Sequence, residues 1–230
     1  LASGTLVQGW ALAEQGQAEE GITRIRESMA ANQATLADYL LQPYWLTLLA
    51  EAYGKAGRAE EGLTVVAEAL AVVDKTGERL WEAGLYRLRG ELTLAHEGKR
   101  QKSKGKRQKS ENPNPNSQIP DPESEAEGYF LKAIEIAQKQ QAKSLELRAV
   151  MSLVRLRQQQ ATPPESCTTQ HETRAMLDEA HTMLSEIYHW FTEGFDTRDL
   201  QEAQALLDEL SSANPLKDRE QRLRQRKVER

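Results

Sequence analysis

A repeat does most to limit what this 230-residue chain can fold into: Gly16-Gln-Ala-Glu-Glu-Gly21 returns as Gly57-Arg-Ala-Glu-Glu-Gly62, 41 residues further on. A period of that length marks one supersecondary unit that buries its apolar face by stacking on its neighbours. Both copies read as helix–turn–helix. Leu6, Gly9, Leu12 and Ala13 precede the first turn, and Gly21, Ile22, Ile25 and Met29 follow it. Leu46, Leu49, Ala50 and Tyr53 precede the second turn, and Gly62, Leu63, Val66, Ala69 and Leu70 follow it. Recurrence at three and four residues is the mark of an amphipathic helix. Gly16 and Gly57 stand where the first helix must end, because glycine takes the left-handed backbone at little cost. The small Gly21 and Gly62 let the paired helices approach closely. Glu19-Glu20 and Glu60-Glu61 fall in the first turn of the second helix, where the positive end of the dipole favours them. They read as helix-start residues and not as catalytic carboxylates.

Two further units follow, each lengthened. The third begins at Glu78, with Leu85, Leu88 and Leu92 on a helix expected to end near His96. Its second helix carries Ala126, Phe130, Ala133 and Ile134. The excess over the period falls on 98–122, a Lys/Arg-rich then Asn/Pro-rich stretch in which Gly-Lys-Arg-Gln-Lys-Ser occurs twice. The fourth unit places Leu145, Ala149, Leu153 and Leu156 on one helix and Ala180, Leu184, Ile187 and Tyr188 on another. Its excess is 161–173. Both insertions are expected to be unstructured, since neither shows apolar periodicity. A last helix carries Leu200, Ala203, Leu206, Leu207 and Leu210, with Thr197 placed as its N-cap; it is expected to close the stack. No alternating strand pattern competes. The expectation is an all-α array over 1–211, in units of about 1–34, 35–76, 77–140 and 141–193, a cap at 197–211, and a charged tail at 212–230.

Charge is divided unevenly along the chain. The formal net charge is -5, but 99–110 holds seven cations without an anion, and 216–230 holds seven cations against three anions. The remainder is therefore acidic, near -16, and repels nucleic acid and anionic membranes. The basic runs contain no aromatic residue for stacking on bases. Tethering to nucleic acid or an anionic surface through them is the alternative reading, and nucleic acid is the less expected partner. The 39% hydrophobic content suits thin, modular cores, and no apolar run reaches the roughly 18 residues of a membrane span. A lone Cys167 permits neither an internal disulfide nor a cysteine zinc site, which fits a reducing, cytoplasmic setting. The chain starts at Leu1 within a helical pattern and reads as a C-terminal fragment of a longer protein. Gly54-Lys55, Gly98-Lys99 and Gly105-Lys106 lack the spacing and hydroxyl of a phosphate loop. His181 and His189 are two helical turns apart, too far to share one metal unaided, and Cys167 with His171 lies in an unpatterned stretch. No catalytic, cofactor or metal residue is expected; an enzymatic reading places the active site upstream of this chain.

The repeat residues resemble the tetratricopeptide family. Leu46, Leu49-Ala50, Tyr53, Gly57, Gly62, Val66 and Ala69 follow its pattern, as do Ala126, Phe130 and Ala133. A period near 41, and Gly where the family has Ala at 21 and 62, depart from it. The segments 9–22, 48–63, 74–92, 142–156 and 187–210 are also similar to the C-terminal repeat region of bacterial multidomain signalling proteins. Those proteins carry a class III nucleotide cyclase (adenylate or guanylate) or kinase-like head and an AAA-type ATPase ahead of the repeats. The resemblance implies a TPR-like α-solenoid of about four long hairpins. It also implies a non-catalytic, regulatory role in protein–protein interaction, with a separate protein or the parent's own ATPase or cyclase domain as partner. First helices line the groove in this family, so Trp10, Tyr44, Glu51, Lys55 and Tyr86 are the expected partner-binding residues. The lysine/asparagine clamp for acidic peptides is missing, with Leu6, Trp10, Thr47, Glu51, Tyr86 and Gly90 at those places.

Overall fold

The computed structural model describes residues 2–31, 36–104, 121–161 and 167–212. Among the described residues all regular structure is helical: α1 (Ala2–Glu14), α2 (Ala18–Ala31), α3 (Leu36–Lys55), α4 (Ala59–Thr76), α5 (Glu82–Lys104), α6 (Pro122–Lys139), α7 (Lys143–Gln160), α8 (Cys167–Trp190) and α9 (Arg198–Ser212). The helices pair as hairpins, α1 with α2, α3 with α4, α5 with α6 and α7 with α8.

The sequence repeat is a repeat of turn chemistry. Gly16 has φ +87° and Gly57 φ +67°. Around them Gln17 N–H donates to Leu12 O at 2.9 Å and Arg58 N–H to Tyr53 O at 2.8 Å. Both turns thereby satisfy the last helical carbonyls in the same way. The glycines beyond the turn set the helix spacing. A methyl group on Gly9 would come within 2.8 Å of Ile25 Cγ1 and 2.9 Å of the Gly21 carbonyl oxygen, so α1 and α2 cross backbone to backbone. In the third hairpin Gly90 plays this part: a methyl there would meet Phe130 Cε1 at 2.5 Å, and Phe130 fills the space instead.

The chain divides into two compact units, Leu1–Gln140 and Gln141–Arg230. The sequence reading took 1–211 as one array; the division falls at its border between the third and fourth hairpins. In the first unit α3 is buried on two sides. Trp45, Leu48, Leu49, Ala52 and Tyr53 pack with Leu6, Ala13, Ile22 and Ile25 of the preceding hairpin, while Leu46 and Ala50 pack with Val66, Ala69, Leu85 and Leu88. A helix covered on both sides loses its amphipathic pattern, which is why the apolar run around Tyr44–Ala50 is so dense.

In the second unit α7 takes the equivalent central place, with Leu147, Val150, Met151, Leu153, Val154 and Leu156 all buried. Helix α9 packs on both α7 and α8, the neighbours that a further first helix would have. Leu200, Ala203, Leu206, Leu207 and Leu210 are buried, and its exposed Gln201, Gln204, Asp208 and Glu209 offer no second apolar face. A polar outer face of this kind is what a terminal capping helix presents.

Two local expectations, the end of one helix and the start of another, are corrected. Helix α5 continues past His96 to Lys104, through the first copy of the basic hexapeptide. Lys and Arg are good helix formers and need no apolar stripe to extend a helix already nucleated. Lys99 Nζ is hydrogen-bonded to the Gly57 carbonyl, and Arg100 pairs with Glu97 at 2.8 Å. Helix α8 likewise begins at Cys167, inside the second expected insertion. The remainder of both insertions, 105–120 and 162–166, and the tail 213–230 lie outside the described residues. Thr197 stands at the expected N-cap place of α9, where its carbonyl accepts from Gln201 N–H at 3.0 Å and its hydroxyl donates to Gly194 O at 2.6 Å.

Candidate functional site

Of the first helices in the first unit, α3 touches both α1 and α5, and a line of polar side chains crosses all three. Trp10 Nε1 of α1 donates to Glu51 Oε2 of α3 at 2.8 Å. The other oxygen of Glu51 lies 3.4 Å from Arg87 Nη2 of α5, and Arg87 Nη1 lies 2.7 Å from Glu91 Oε1. One turn along, Lys55 Nζ lies 3.0 Å from Glu14 Oε1. Trp10–Glu51 and Glu14–Lys55 are each separated by the repeat period, so equivalent positions on successive hairpins face each other. Trp10, Glu14, Glu51, Arg87 and Glu91 are partly buried, and Lys55 is exposed. The face thus offers alternating charge with an indole edge.

Three of the five residues expected to bind a partner, Trp10, Glu51 and Lys55, come together on this face. Tyr44 stands nearer the N-terminal end of α3, stacked on Trp81 with centroids 4.4 Å apart and tilted against Trp45 at 4.8 Å. Tyr86 looks the other way. Lys132 Nζ of α6 donates to its hydroxyl at 2.6 Å and lies 4.0 Å from its ring centroid. Its neighbour Arg87 lies on the face that carries Trp10 and Glu51, and sequence reasoning missed it. Adjacent residues on a helix point about 100° apart, so a one-residue error in register moves a side chain from one layer to the next.

The hairpin turns form a second polar seam. Arg58, beside the Gly57 turn, reaches Glu19 of the preceding hairpin at 2.9 Å and Glu61 at 2.5 Å, and its Cζ lies 4.9 Å from the Tyr53 ring centroid. The hydrogen bond from Arg58 is the main reason that the Glu61 carboxyl titrates below its ordinary value. Lys99 and Arg100, the first cations of the basic run, are engaged by Gly57 and Glu97, which weakens the case for their gripping phosphate.

Of the remaining tryptophans, Trp45 is core, its indole nitrogen buried without a hydrogen-bond partner. Trp190 is exposed in the second unit, with Lys143 Nζ 6.0 Å from its ring centroid. His189 Nδ1 lies 2.7 Å from the Ser185 carbonyl and His181 Nε2 lies 3.3 Å from Ser211 Oγ. Among the described residues no cluster of three His, Cys, Asp or Glu is placed to hold a metal ion, and no helix is long and apolar enough to cross a membrane.

No family model and no curated protein matches the chain. Solved structures do. The chain is similar to a Podosopora anserina protein assigned to the kinesin light chains, with nearly identical TPR-like repeats, at TM-score 0.54 and 16% identity over 97% of this chain and 91% of that one. A single-residue variant of that protein is similar at TM-score 0.55, with the same identity and coverage. The likeness is one of fold: the described residues are all-helical and resemble TPR-like repeat solenoids.

Proposed function

We propose that the chain is a non-catalytic protein-interaction region whose working surface is the inner face of α1, α3 and α5. The Trp10–Glu51–Arg87–Glu91 line supports this reading most directly. It sets alternating donors and acceptors across three helices that the core holds rigidly, and partly exposed aromatic and Arg residues are the usual anchors of an interface. The absence of catalytic or metal constellations among the described residues is compatible with the reading but does not carry it.

The partner we infer is an AAA-type ATPase domain, on the resemblance of 9–22, 48–63, 74–92, 142–156 and 187–210 to the repeat region of bacterial cyclase- or kinase-headed signalling ATPases. In that role the chain is regulatory. Contact with the inner face favours one of two states of the ATPase, and the shift equals the difference in affinity for the two. Isothermal titration of the chain against the ATPase domain of such a parent, with and without nucleotide, tests it. Binding that depends on the nucleotide supports the regulatory reading. Equal binding in both states, or none, rejects it.

A further inference from the structure

A cleft of about 280 Å³ opens between α4 and α6, with α5 as its floor. It does not belong to the inner face: Arg87, on that face, and Arg89, in the cleft, are two residues apart on α5 and point about 200° apart. Arg89, Thr93 and His96 line it at helical spacing, with Leu63 of α4 on one side and Pro122 and Tyr129 of α6 on the other. Arg89 Cζ lies 4.5 Å from the Tyr129 ring centroid. A guanidinium held on a ring face is desolvated there, while its edge keeps its N–H donors.

Arg89 differs from most of the described arginines. Arg58, Arg79, Arg87, Arg148, Arg155 and Arg157 each pair with a carboxylate. Among the described residues Arg89 has no carboxylate partner and the His96 ring no hydrogen-bond partner. The carboxylates nearby are engaged: Glu97 pairs with Arg100 at 2.8 Å, and Glu125 accepts the Tyr129 hydroxyl at 2.6 Å. Burial and the bond to Glu125 hold the Tyr129 hydroxyl above its ordinary pKa, so the phenol stays neutral.

We propose that this cleft binds a small monocarboxylate with an apolar body, its carboxylate received by the Arg89 edge and its body lying on Leu63, Pro122 and Tyr129. The planar fork of arginine matches a carboxylate in two parallel hydrogen bonds. Glu97 and Glu125 oppose any anion in the cleft, and a doubly charged phosphate more than a singly charged carboxylate. The apolar walls reward a hydrocarbon body, and the cleft is small for a ligand site. The site does not depend on the protein-interaction reading, since it lies on another side of α5.

The test is calorimetric titration of the full 230-residue chain with phenylacetate and indole-3-acetate, with phenylacetamide and inorganic phosphate as comparisons. The acids bind, and the amide binds at least about tenfold more weakly because it loses the charge-assisted pair. Arg89→Gln abolishes binding. Arg89→Lys, which keeps the charge but not the fork, weakens it by a similar factor, and circular dichroism verifies that both variants fold. Equal binding of acid and amide overturns the proposal. So does phosphate bound in preference to the acids, unaltered binding by a folded Arg89→Lys chain, or no binding of either acid.

Discussion

Trp10 and Glu51 stand one repeat period apart in sequence and 2.8 Å apart in space, indole nitrogen to carboxylate oxygen. A period in sequence has become a contact between successive hairpins, and the contact lies on the face proposed to meet a partner. The same carboxylate turns its second oxygen toward Arg87. Glu51 therefore joins three hairpins, and its loss leaves a partly buried indole N–H and a guanidinium each short of an acceptor. Glu51→Ala is expected to lower stability by about 1–2 kcal/mol in urea denaturation. A Trp10→Phe, Glu51→Gln double-mutant cycle is expected to show coupling of about 1 kcal/mol. Additive effects would mean the bond contributes nothing.

The glycines give a prediction of opposite signs. Gly21→Ala forces a methyl into the backbone of α1 at Gly9 and Ala13, and overpacking of that kind costs about 1–3 kcal/mol. Gly128→Ala, in the middle of α6 with nothing within 4 Å, stabilises by about 0.5–1 kcal/mol because a helical glycine is entropically costly. Urea midpoints of the two variants should move in opposite directions.

Phe130 occupies the space that Gly90 leaves and is buried. Phe130→Ala is expected to cost about 3–5 kcal/mol through lost burial and the cavity left behind. Thermal unfolding followed by circular dichroism reads the effect, and a change below about 1 kcal/mol would contradict this packing.

The clamp of α9 on α7 predicts a pH dependence. Hydrogen bonds from Arg198 and then Arg155, against the opposing effect of burial, hold the Glu202 carboxyl below its ordinary value of 4.5. A depressed folded-state pKa means stability that is full above the unfolded value and is lost as pH falls through the folded one. The carboxylate is about a third exposed, so solvent screening keeps the effect small. Glu202→Gln should flatten the stability profile below pH 4.5 and leave its shape unchanged above pH 6, well over the ordinary range of glutamate. An unchanged acid limb would mean the ion pairs do not hold the cap.

Much of this architecture is legible in the residues. Gly16 and Gly57 announce left-handed turns because few residues tolerate positive φ, and Gly21 announces the close approach of α1 and α2, where an added methyl would collide with the Gly9 carbonyl oxygen. The apolar stripes of the second helices locate the core for the same reason. The polar contact to the third hairpin is not legible. Glu51 meets Arg87 at a separation of 36 residues and not 41, because Arg87 lies one turn before Glu91, its ion-pair partner on α5, and reaches across to α3 from there. Nothing in the repeat marks that diagonal contact. The ends of α5 and α8 were hidden differently: a polar helix that runs on past its packing partner carries no periodic signal. The Arg89 cleft was not legible either, since it needs the spacing of α4 and α6 over α5, which only packing supplies.

Photo-crosslinking tests the inner face as the interaction surface most directly. A benzophenone amino acid is placed at Lys55, on the inner face and 38% exposed, or at Leu131, on second helix α6 and 44% exposed. Each chain is then irradiated with the proposed ATPase partner. The account predicts a crosslinked product from position 55 and little from position 131. Crosslinking from 131 alone, or equally from both, would contradict it.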